Sequence, residues 1–171
     1  HKNLTVVLQA LSTPACREMH LVLIGKNDNC KDLVLELGLE NQVHFVGSLG
    51  DAEAAYVIQH AVAMVFPSLY EGFGLPPLEA ALLGTPSICS RRPAMTETLH
   101  EAALFADPAN VEEWVQALET LWNSPDVRRQ LSSAARARAH AYDWQDSVTE
   151  LLGLMRQCAL EHPPAATSTA P

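Results

Sequence analysis

The sequence lacks the short patterns that identify most metal, redox and membrane proteins. Its four cysteines are scattered without a C-x-x-C, and its seven histidines form neither H-E-x-x-H nor a Cys/His cluster. We therefore expect reduced thiols, a cytoplasmic location and no bound metal. No apolar run is long enough to span a bilayer, and we expect no signal peptide. The formal net charge of −9 argues against nucleic-acid binding.

One segment of the sequence is a basic patch, although the net charge of the chain is negative. Its four arginines are Arg128, Arg129, Arg136 and Arg138. Charged residues at helical spacing more often form a solvated helix face than a binding surface. We therefore assign the patch to the solvated face of a helix.

Short aliphatic runs alternate with segments of helical periodicity. The predicted strands are 20–24, 43–46, 61–66, 87–90 and 103–105. The predicted helices are 4–11, 31–37, 51–59, 75–84, 111–122, 124–141 and one that follows Asp143. This alternation predicts βαβ units, a parallel sheet and helices on both of its faces. Functional groups should then cluster after the strands, at Gly25, at Gly47, and over 67–74 and 90–97.

The segment 67–86, PSLYEGFGLPPLEAALLGTP, carries most of the functional information. It follows a predicted strand and places a Gly-Phe-Gly turn before a predicted helix. Gly72 and Gly74 allow positive φ and close approach of a ligand. The helix start leaves N–H groups without intrahelical partners and carries the positive end of the helix dipole, so it favours a phosphate. Pro76 and Pro77 have no N–H, and the donors must therefore come mainly from 72–75.

Two glutamates, Glu71 and Glu79, stand eight positions apart in this segment. Carboxylates accept hydrogen bonds and suit the vicinal hydroxyls of a sugar or ribose. A glycosidase-like acid/base pair is an alternative, although an acid in a phosphate-binding turn is more naturally a hydroxyl acceptor. The plainest alternative is an ordinary turn followed by a helix-surface glutamate.

The whole segment closely resembles the E-x7-E signature of retaining nucleotide-sugar glycosyltransferases of group 1, which have the GT-B fold. That large family includes bacterial mannosyl- and glucosyltransferases. The similarity covers residues 2 to about 158 and includes the segments KNL, HLVLIG, VHFVGSL, AVAMVFPS and EAALFADP, and Trp144. The resemblance implies an α/β, Rossmann-like open parallel sheet flanked by helices, the carboxy-terminal half of a GT-B fold. It implies a donor-binding domain over 1–160, and we expect a disordered tail over 161–171.

The resemblance also implies a role for each residue of the site. Glu71, the implied catalytic residue, would contact hydroxyls of the transferred sugar, and Glu79 would accept from the ribose hydroxyls. Lys2 would neutralise the diphosphate, and Gly25 would lie at a strand end near the same cleft. Backbone N–H groups for the sugar and diphosphate would come from Gly72, Phe73, Gly74 and Leu75.

The implied activity is metal-independent transfer of a sugar, with retention, from a UDP- or GDP-sugar to a glycan, a lipid-linked sugar or a small acceptor. In that family the acceptor binds an amino-terminal domain that this chain does not contain, so we expect the chain alone to be inactive. Peripheral docking on the inner membrane is an alternative to a purely cytoplasmic location. A noncatalytic nucleotide-binding or assembly module is the alternative function. A nicotinamide-dependent oxidoreductase is disfavoured because HLVLIGKNDN lacks G-x-G-x-x-G.

The sequence departs from the family pattern at three points. The family's first strand would lie upstream of His1, and it is central in the sheet order 3-2-1-4-5-6. The chain should therefore have a gap or exposed strand edges inside its core. Thr96 stands where the family often has proline, and His100 where it often has glycine. These positions lie in and just after residues 91–97, which we expect to form a loop.

Overall fold

The computed structural model describes residues 1–26 and 28–161. They divide into two compact units, one spanning His1–Ala139 and the other beginning at His140. In the described residues the strands are β1 Leu21–Ile24, β2 Val43–Gly47, β3 Met64–Phe66, β4 Ser87–Ser90 and β5 Leu104–Ala106. The helices are α1 Leu4–Leu11, α2 Lys31–Glu36, α3 Asp51–His60, α4 Leu75–Leu82, α5 Pro93–Leu99, α6 Val111–Asn123, α7 Pro125–Ala139 and α8 Trp144–Glu161. Short 3-10 turns lie at Pro14–Cys16 and Asp28–Cys30.

All strand pairs of the described residues are parallel, which confirms the predicted fold class. In one sheet β1 pairs with β2, and in the other β4 lies between β3 and β5. Successive strands are joined through helices, as parallel pairing requires, because the chain must return to the same end of the sheet. The result is an α/β fold of parallel sheets flanked by helices.

The sheets are separated by the gap that the sequence led us to expect. Among the described strands, β1 pairs only with β2, and β3 pairs only with β4. Each of these two strands therefore has one edge that pairs with no described strand. A cavity of about 460 Å³ is lined by residues 21–24 of β1 and by residues 61–65, which include the first two residues of β3. Apolar side chains of α1, β4 and α6 also line it, among them Val7, Ile88 and Leu121. The two sheets therefore face a shared apolar groove.

Neighbouring residues of β4 contribute to two different core clusters. Ile88 packs with Val6, Val7 and Trp114, which belong to α1 and α6. Cys89 packs with the α4, α5 and α7 residues Leu78, Ala81, Met95, Leu99, Ala135 and Ala139. Because successive side chains of a strand point to opposite faces, the clusters lie on opposite faces of β4. The second cluster fixes α4, and with it the turn that carries Glu71.

Residues 91–97, which the sequence analysis treated as a loop, are instead largely helical. Helix α5 begins at Pro93, where proline's missing N–H costs nothing. Met95 and Leu99 lie one turn apart on its buried side, and both are fully buried. Two apolar residues four positions apart after a proline are typical of a short amphipathic helix, so this helix could have been predicted from the sequence.

The arginine patch of α7 is also more than a solvated face. Arg128 donates to the carbonyl oxygens of Leu121 and Trp122, near the end of α6. Arg138 donates from Nε to the Thr98 carbonyl, 2.8 Å away, in the last turn of α5. Carbonyls at helix ends have no intrahelical partner and are favoured sites for cations. Two of the four arginines therefore hold helix ends in place.

The second unit consists mainly of α8. Asp143 caps it, since its Oδ1 accepts from the Gln145 N–H at 2.6 Å. Its described residues are all exposed, and its apolar side chains include Trp144, Leu151 and Met155. Of the predicted tail over 161–171, Glu161 is the last residue of α8 and the rest lies outside the described residues.

Candidate functional site

The first three residues of the chain lie against the loops that follow β3 and β5. The His1 carbonyl accepts from the Leu69 N–H at 2.8 Å. Lys2 Nζ lies 3.2 Å from Glu71 Oε1 and 5.2 Å from the centroid of the Phe66 ring. Asn3 donates from Nδ2 to the Pro108 carbonyl at 2.9 Å. Two residues predicted to act on the same ligand, Lys2 and Glu71, are thus in direct contact.

The Lys2–Glu71 ion pair is open to solvent on the lysine side. The side chain of Lys2 is 58% exposed and that of Glu71 is 21% exposed. Ion pairs with this much exposure stabilise a fold by about 0–1 kcal/mol. An incoming anion can therefore replace Glu71 as the partner of Lys2 at a small cost.

The turn between Glu71 and α4 adopts the left-handed backbone that glycine allows, at one of its two glycines. Gly74 has φ +93° and is the N-cap of α4. Pro76 and Pro77 lie in the first turn of the helix, so the helix start has few N–H donors to offer. Gly72 is not in the left-handed region, so it does not use the positive φ that glycine allows. A Cβ at Gly72 would meet no atom within 4 Å, so this glycine leaves open space beside the turn.

Helix α5 supports this turn through two contacts. The Thr98 hydroxyl donates to the Phe73 carbonyl at 2.9 Å, and the Thr98 side chain is buried. A Cβ added to Gly74 would lie 2.8 Å from Met95 Sδ and closer still to its Cε. The backbone of the turn is therefore fixed on its protein side by residues from a different helix.

Glu79 lies on the exposed side of α4, between the buried residues Leu78 and Ala80. Its carboxylate is open to solvent, which an acceptor for ligand hydroxyls requires. Phe73 and Leu75 are exposed as well, at 40% and 50%. A shared crevice for Glu71 and Glu79 stays a prediction.

Gly25 lies at the end of β1, in the sheet that does not carry Glu71. Its φ is +94°, and its N–H donates to the Gly47 carbonyl at 2.6 Å. The structure therefore places Gly25 beside Gly47, the glycine that ends β2. Its role in ligand binding stays a prediction.

A polar cluster also joins the residues that follow β4 and β5. Glu113 Oε2 accepts from Arg91 at 2.8 Å and from the Asp107 N–H at 3.0 Å. The bond from Asp107 and the bond from Arg91 lower the pKa of Glu113. This cluster fixes the loop after β5, whose Pro108 carbonyl receives Asn3.

The four cysteines, all within the described residues, form no disulfide, and three of them are buried. Burial raises the pKa values of the Cys16 and Cys89 thiols, which therefore stay protonated. In the part of the chain that the structure describes, no three His, Cys, Asp or Glu side chains form a group that could hold a metal ion. No helix of that part is both long and apolar enough to cross a membrane.

A known protein family matches the part of the chain that contains the candidate site. Residues 1–138 match the family model described as glycosyl transferases group 1. The chain belongs to this family. The matched region includes the Lys2–Glu71 pair, the glycine turn and α4, and it ends just before α8.

Among curated relatives, the MMP alpha-(1->4)-mannosyltransferase of Mycolicibacterium hassiacum is 35% identical over 145 residues. The match covers 81% of this chain and 35% of that enzyme. Among solved structures, sucrose-phosphate synthase from Thermosynechococcus elongatus has 26% identity and a TM-score of 0.82, covering 94% of this chain and 43% of that one. This group 1 chain therefore spans less than half the length of these relatives.

A more distant match shows the fold alone. It is a variant of S. aureus TarM, solved in complex with fondaparinux, alpha-GlcNAc-glycerol and UDP. Its identity is 17% and its TM-score 0.81, over 90% of this chain and 32% of that one. The neighbours share the GT-B architecture, which agrees with the fold expected from the resemblance.

Sequence reasoning missed three residues that shape this group 1 site. Asn3 reaches the loop after β5, while Thr98 and Arg138 connect the glycine turn to α5 and α7. The separations along the chain are 105, 25 and 40 positions, so no local pattern could reveal them. For Thr98 the sequence offered one weak signal, which is its position next to the apolar residue Leu99. Helix α5 was not predicted, so this signal could not be interpreted.

Proposed function

We propose that the complete protein containing this chain is a retaining glycosyltransferase and that the chain forms its nucleotide-sugar binding domain. The observation that carries the proposal is the contact of Lys2 with Glu71 beside the start of α4. This contact places a cation and a hydroxyl acceptor beside a helix N-terminus. A nucleotide-sugar requires such groups, because its diphosphate is an anion and its sugar carries hydroxyl donors. Membership of the group 1 family and the mannosyltransferase relative support it.

The diphosphate is assigned to Lys2 and the turn before α4. Lysine acts on a phosphate as a point charge, and the positive end of the helix dipole adds to it. The N–H donors are those of 72–75, because Pro76 and Pro77 have none. As the diphosphate binds, it takes Lys2 from Glu71, whose carboxylate is then available to another donor.

The hydroxyls of the donor are assigned to the two glutamates. Glu71, freed from Lys2, accepts from hydroxyls of the transferred sugar, and Glu79 accepts from the ribose. An ionised carboxylate has only acceptor sites, so each glutamate requires hydroxyl donors from the ligand. The open space beside Gly72 lets the sugar approach the backbone closely.

The reaction breaks the bond between the anomeric carbon and the diphosphate oxygen. Lys2 and the N–H groups of the turn stabilise the charge that develops on the leaving nucleoside diphosphate. The acceptor hydroxyl oxygen forms its bond to the anomeric carbon on the face from which the diphosphate leaves, so the configuration is retained, and the departing phosphate accepts the hydroxyl proton. Because Lys2 and the turn supply the positive charge, the proposed step requires no metal ion. The acceptor, a glycan or lipid-linked sugar, binds a separate amino-terminal domain. The reaction takes place in the cytoplasm, with docking at the inner membrane where the acceptor is lipid-linked.

Nucleotide binding by the complete protein tests this proposal. UDP, GDP and ADP are titrated by calorimetry or ligand-observed NMR against wild type and Glu79→Ala. We expect saturable binding of one nucleotide, weakened about tenfold or more by the variant, since one charge-assisted ribose contact is lost. Glu40→Ala is the matched control, because Glu40 is an exposed glutamate in the turn before β2.

Two results would count against the proposal. A folded protein that binds none of the three nucleotides lacks the donor site. Nucleotide binding without transfer to any glycan, lipid-linked or small acceptor would favour the noncatalytic binding module. Retention itself is read from the anomeric coupling constant of the first product in the NMR spectrum.

A further inference from the structure

Helix α5 holds one peptide unit of the glycine turn in a defined orientation. The Thr98 hydroxyl donates to the Phe73 carbonyl at 2.9 Å, and Thr98 is only 4% exposed. The bond joins residues 25 positions apart, on the two sides of β4 in sequence. It is a tertiary contact and not a feature of the turn itself.

The consequence follows from the geometry of the peptide bond. The peptide unit is planar and trans, so its C=O and N–H point in opposite directions. The Phe73 carbonyl points toward α5, and the N–H of the same peptide unit belongs to Gly74. The Gly74 N–H must therefore point away from α5. This N–H lies at the N-cap of α4, where donors have no intrahelical partner.

The support beneath this bond is itself fixed. Arg138 on α7 donates to the Thr98 carbonyl at 2.8 Å and to the Glu97 carbonyl at 3.2 Å. Met95, one turn before Thr98, is fully buried and packs against Gly74. The hydroxyl of Thr98 thus acts from a helix end that cannot shift without disturbing a packed cluster.

We propose that Thr98 is a positioning residue for donor binding, which orients the Gly74 N–H toward the diphosphate of the nucleotide-sugar. The inference rests on the proposed function, because it assigns a ligand to that N–H. Few backbone donors are available at the start of α4, since Pro76 and Pro77 have none. Misdirecting one of them should therefore weaken diphosphate binding measurably.

The test compares Thr98→Val, Thr98→Ser and wild type in the complete protein. Valine keeps the shape of threonine and removes the donor, whereas serine keeps the hydroxyl. We measure the dissociation constant of the nucleoside diphosphate that wild type binds, the KM for donor and for acceptor, and Tm. The loss of one hydrogen bond predicts an approximately tenfold weaker diphosphate affinity for Thr98→Val. The donor KM should rise likewise, while the acceptor KM is unchanged and Thr98→Ser stays within about twofold of wild type.

A purely structural role gives a different result. If Thr98→Val lowers Tm and leaves diphosphate affinity and donor KM unchanged, the positioning role is wrong. The same holds if Thr98→Ser binds as weakly as Thr98→Val. Should Thr98→Val not fold, Thr98→Ala, which removes the hydroxyl without filling its space, is measured in the same way and judged by the same criteria.

Failure of the proposed function is distinguishable from failure of this inference. Wild type that binds none of UDP, GDP and ADP overturns both. Wild type that binds one of them with an affinity equal to that of Thr98→Val overturns the inference about Thr98 alone.

Discussion

Met95 packs directly against Gly74, so a side chain at position 74 would displace it. A Cβ at Gly74 would come within 2.8 Å of Met95 Sδ, and this flexible side chain, which is 1% exposed and packed in the core, would have to shift. Gly74 also has φ +93°, in the left-handed region that favours glycine. The backbone conformation therefore favours glycine at the start of α4, and the packing of Met95 adds to that preference.

The two glycines of the turn should respond differently to alanine. Gly74→Ala combines backbone strain with overpacking, and we expect it to destabilise the fold by about 2–4 kcal/mol. Gly72→Ala meets open space and should leave the free energy of unfolding within about 0.5 kcal/mol of wild type. It should still weaken donor binding, because the methyl group occupies the space that the sugar needs. Chemical denaturation and nucleotide-sugar titration measure the two effects, and equal loss of stability in both variants would contradict the assignment.

Lys2→Gln should affect binding far more than stability. The exposed pair with Glu71 contributes at most about 1 kcal/mol to folding, whereas the lysine is the cation assigned to the diphosphate. We expect about tenfold or greater loss of diphosphate affinity, with a weaker dependence of binding on salt. Arg17→Gln removes another exposed cation, paired with Glu18, and serves as the control. Equal affinities of wild type and Lys2→Gln would show that the diphosphate lies elsewhere.

His100→Gly should stabilise the protein. His100 follows α5 with φ +49° and ψ −124°, a conformation that strains residues with a Cβ. Glycine removes this strain, and we expect a gain of about 1 kcal/mol and a higher Tm. Asn3 also has positive φ, at +50°, but its side chain donates to Pro108. Asn3→Gly should therefore give no gain, and a lower Tm for His100→Gly would contradict the strain argument.

Stability should depend on the ionisation of Glu113 at acid pH. The Asp107 N–H and Arg91 lower the pKa of this carboxyl in the folded protein. The ionised Glu113 carboxylate therefore stabilises the folded protein fully above the unfolded-state pKa of about 4.3. This contribution is lost as the pH falls through the folded-state pKa. Tm measured against pH for wild type and Glu113→Gln should differ at pH 7 and converge in acid. A difference that persists unchanged below pH 3 would exclude this carboxylate as the cause.

Transfer by the complete enzyme should not require a divalent cation. In the proposed site, Lys2 and the backbone donors of the turn supply the positive charge that a metal ion would otherwise provide to the leaving diphosphate. Excess EDTA added to the enzyme as purified should leave the rate of sugar transfer within about twofold. Activity that disappears with EDTA and returns with Mg²⁺ or Mn²⁺ would assign that charge to a metal.

Local patterns predicted most of the elements for identifiable reasons. The aliphatic run that ends at Gly25 became β1, and the prolines at 76 and 77 began α4, because burial and backbone restriction act over a few residues. Helix α5 was missed because its single apolar turn is short. The arginines of α7 were assigned to solvent because a helical repeat of charges says nothing about which carbonyls lie nearby.

The α/β class, the glycine turn and the two glutamates can be read from the sequence, since they depend on hydrophobic period and on residue type. The contact of Lys2 with Glu71, 69 positions away, and the support of the turn by Thr98 and Met95 from α5 are visible only in the folded chain. The same is true of the backbone of Gly72, which, unlike that of Gly74, is not in the left-handed region. The reason is physical: hydrophobic period and turn chemistry act between neighbours along the chain, whereas ion pairs and packing act between neighbours in space.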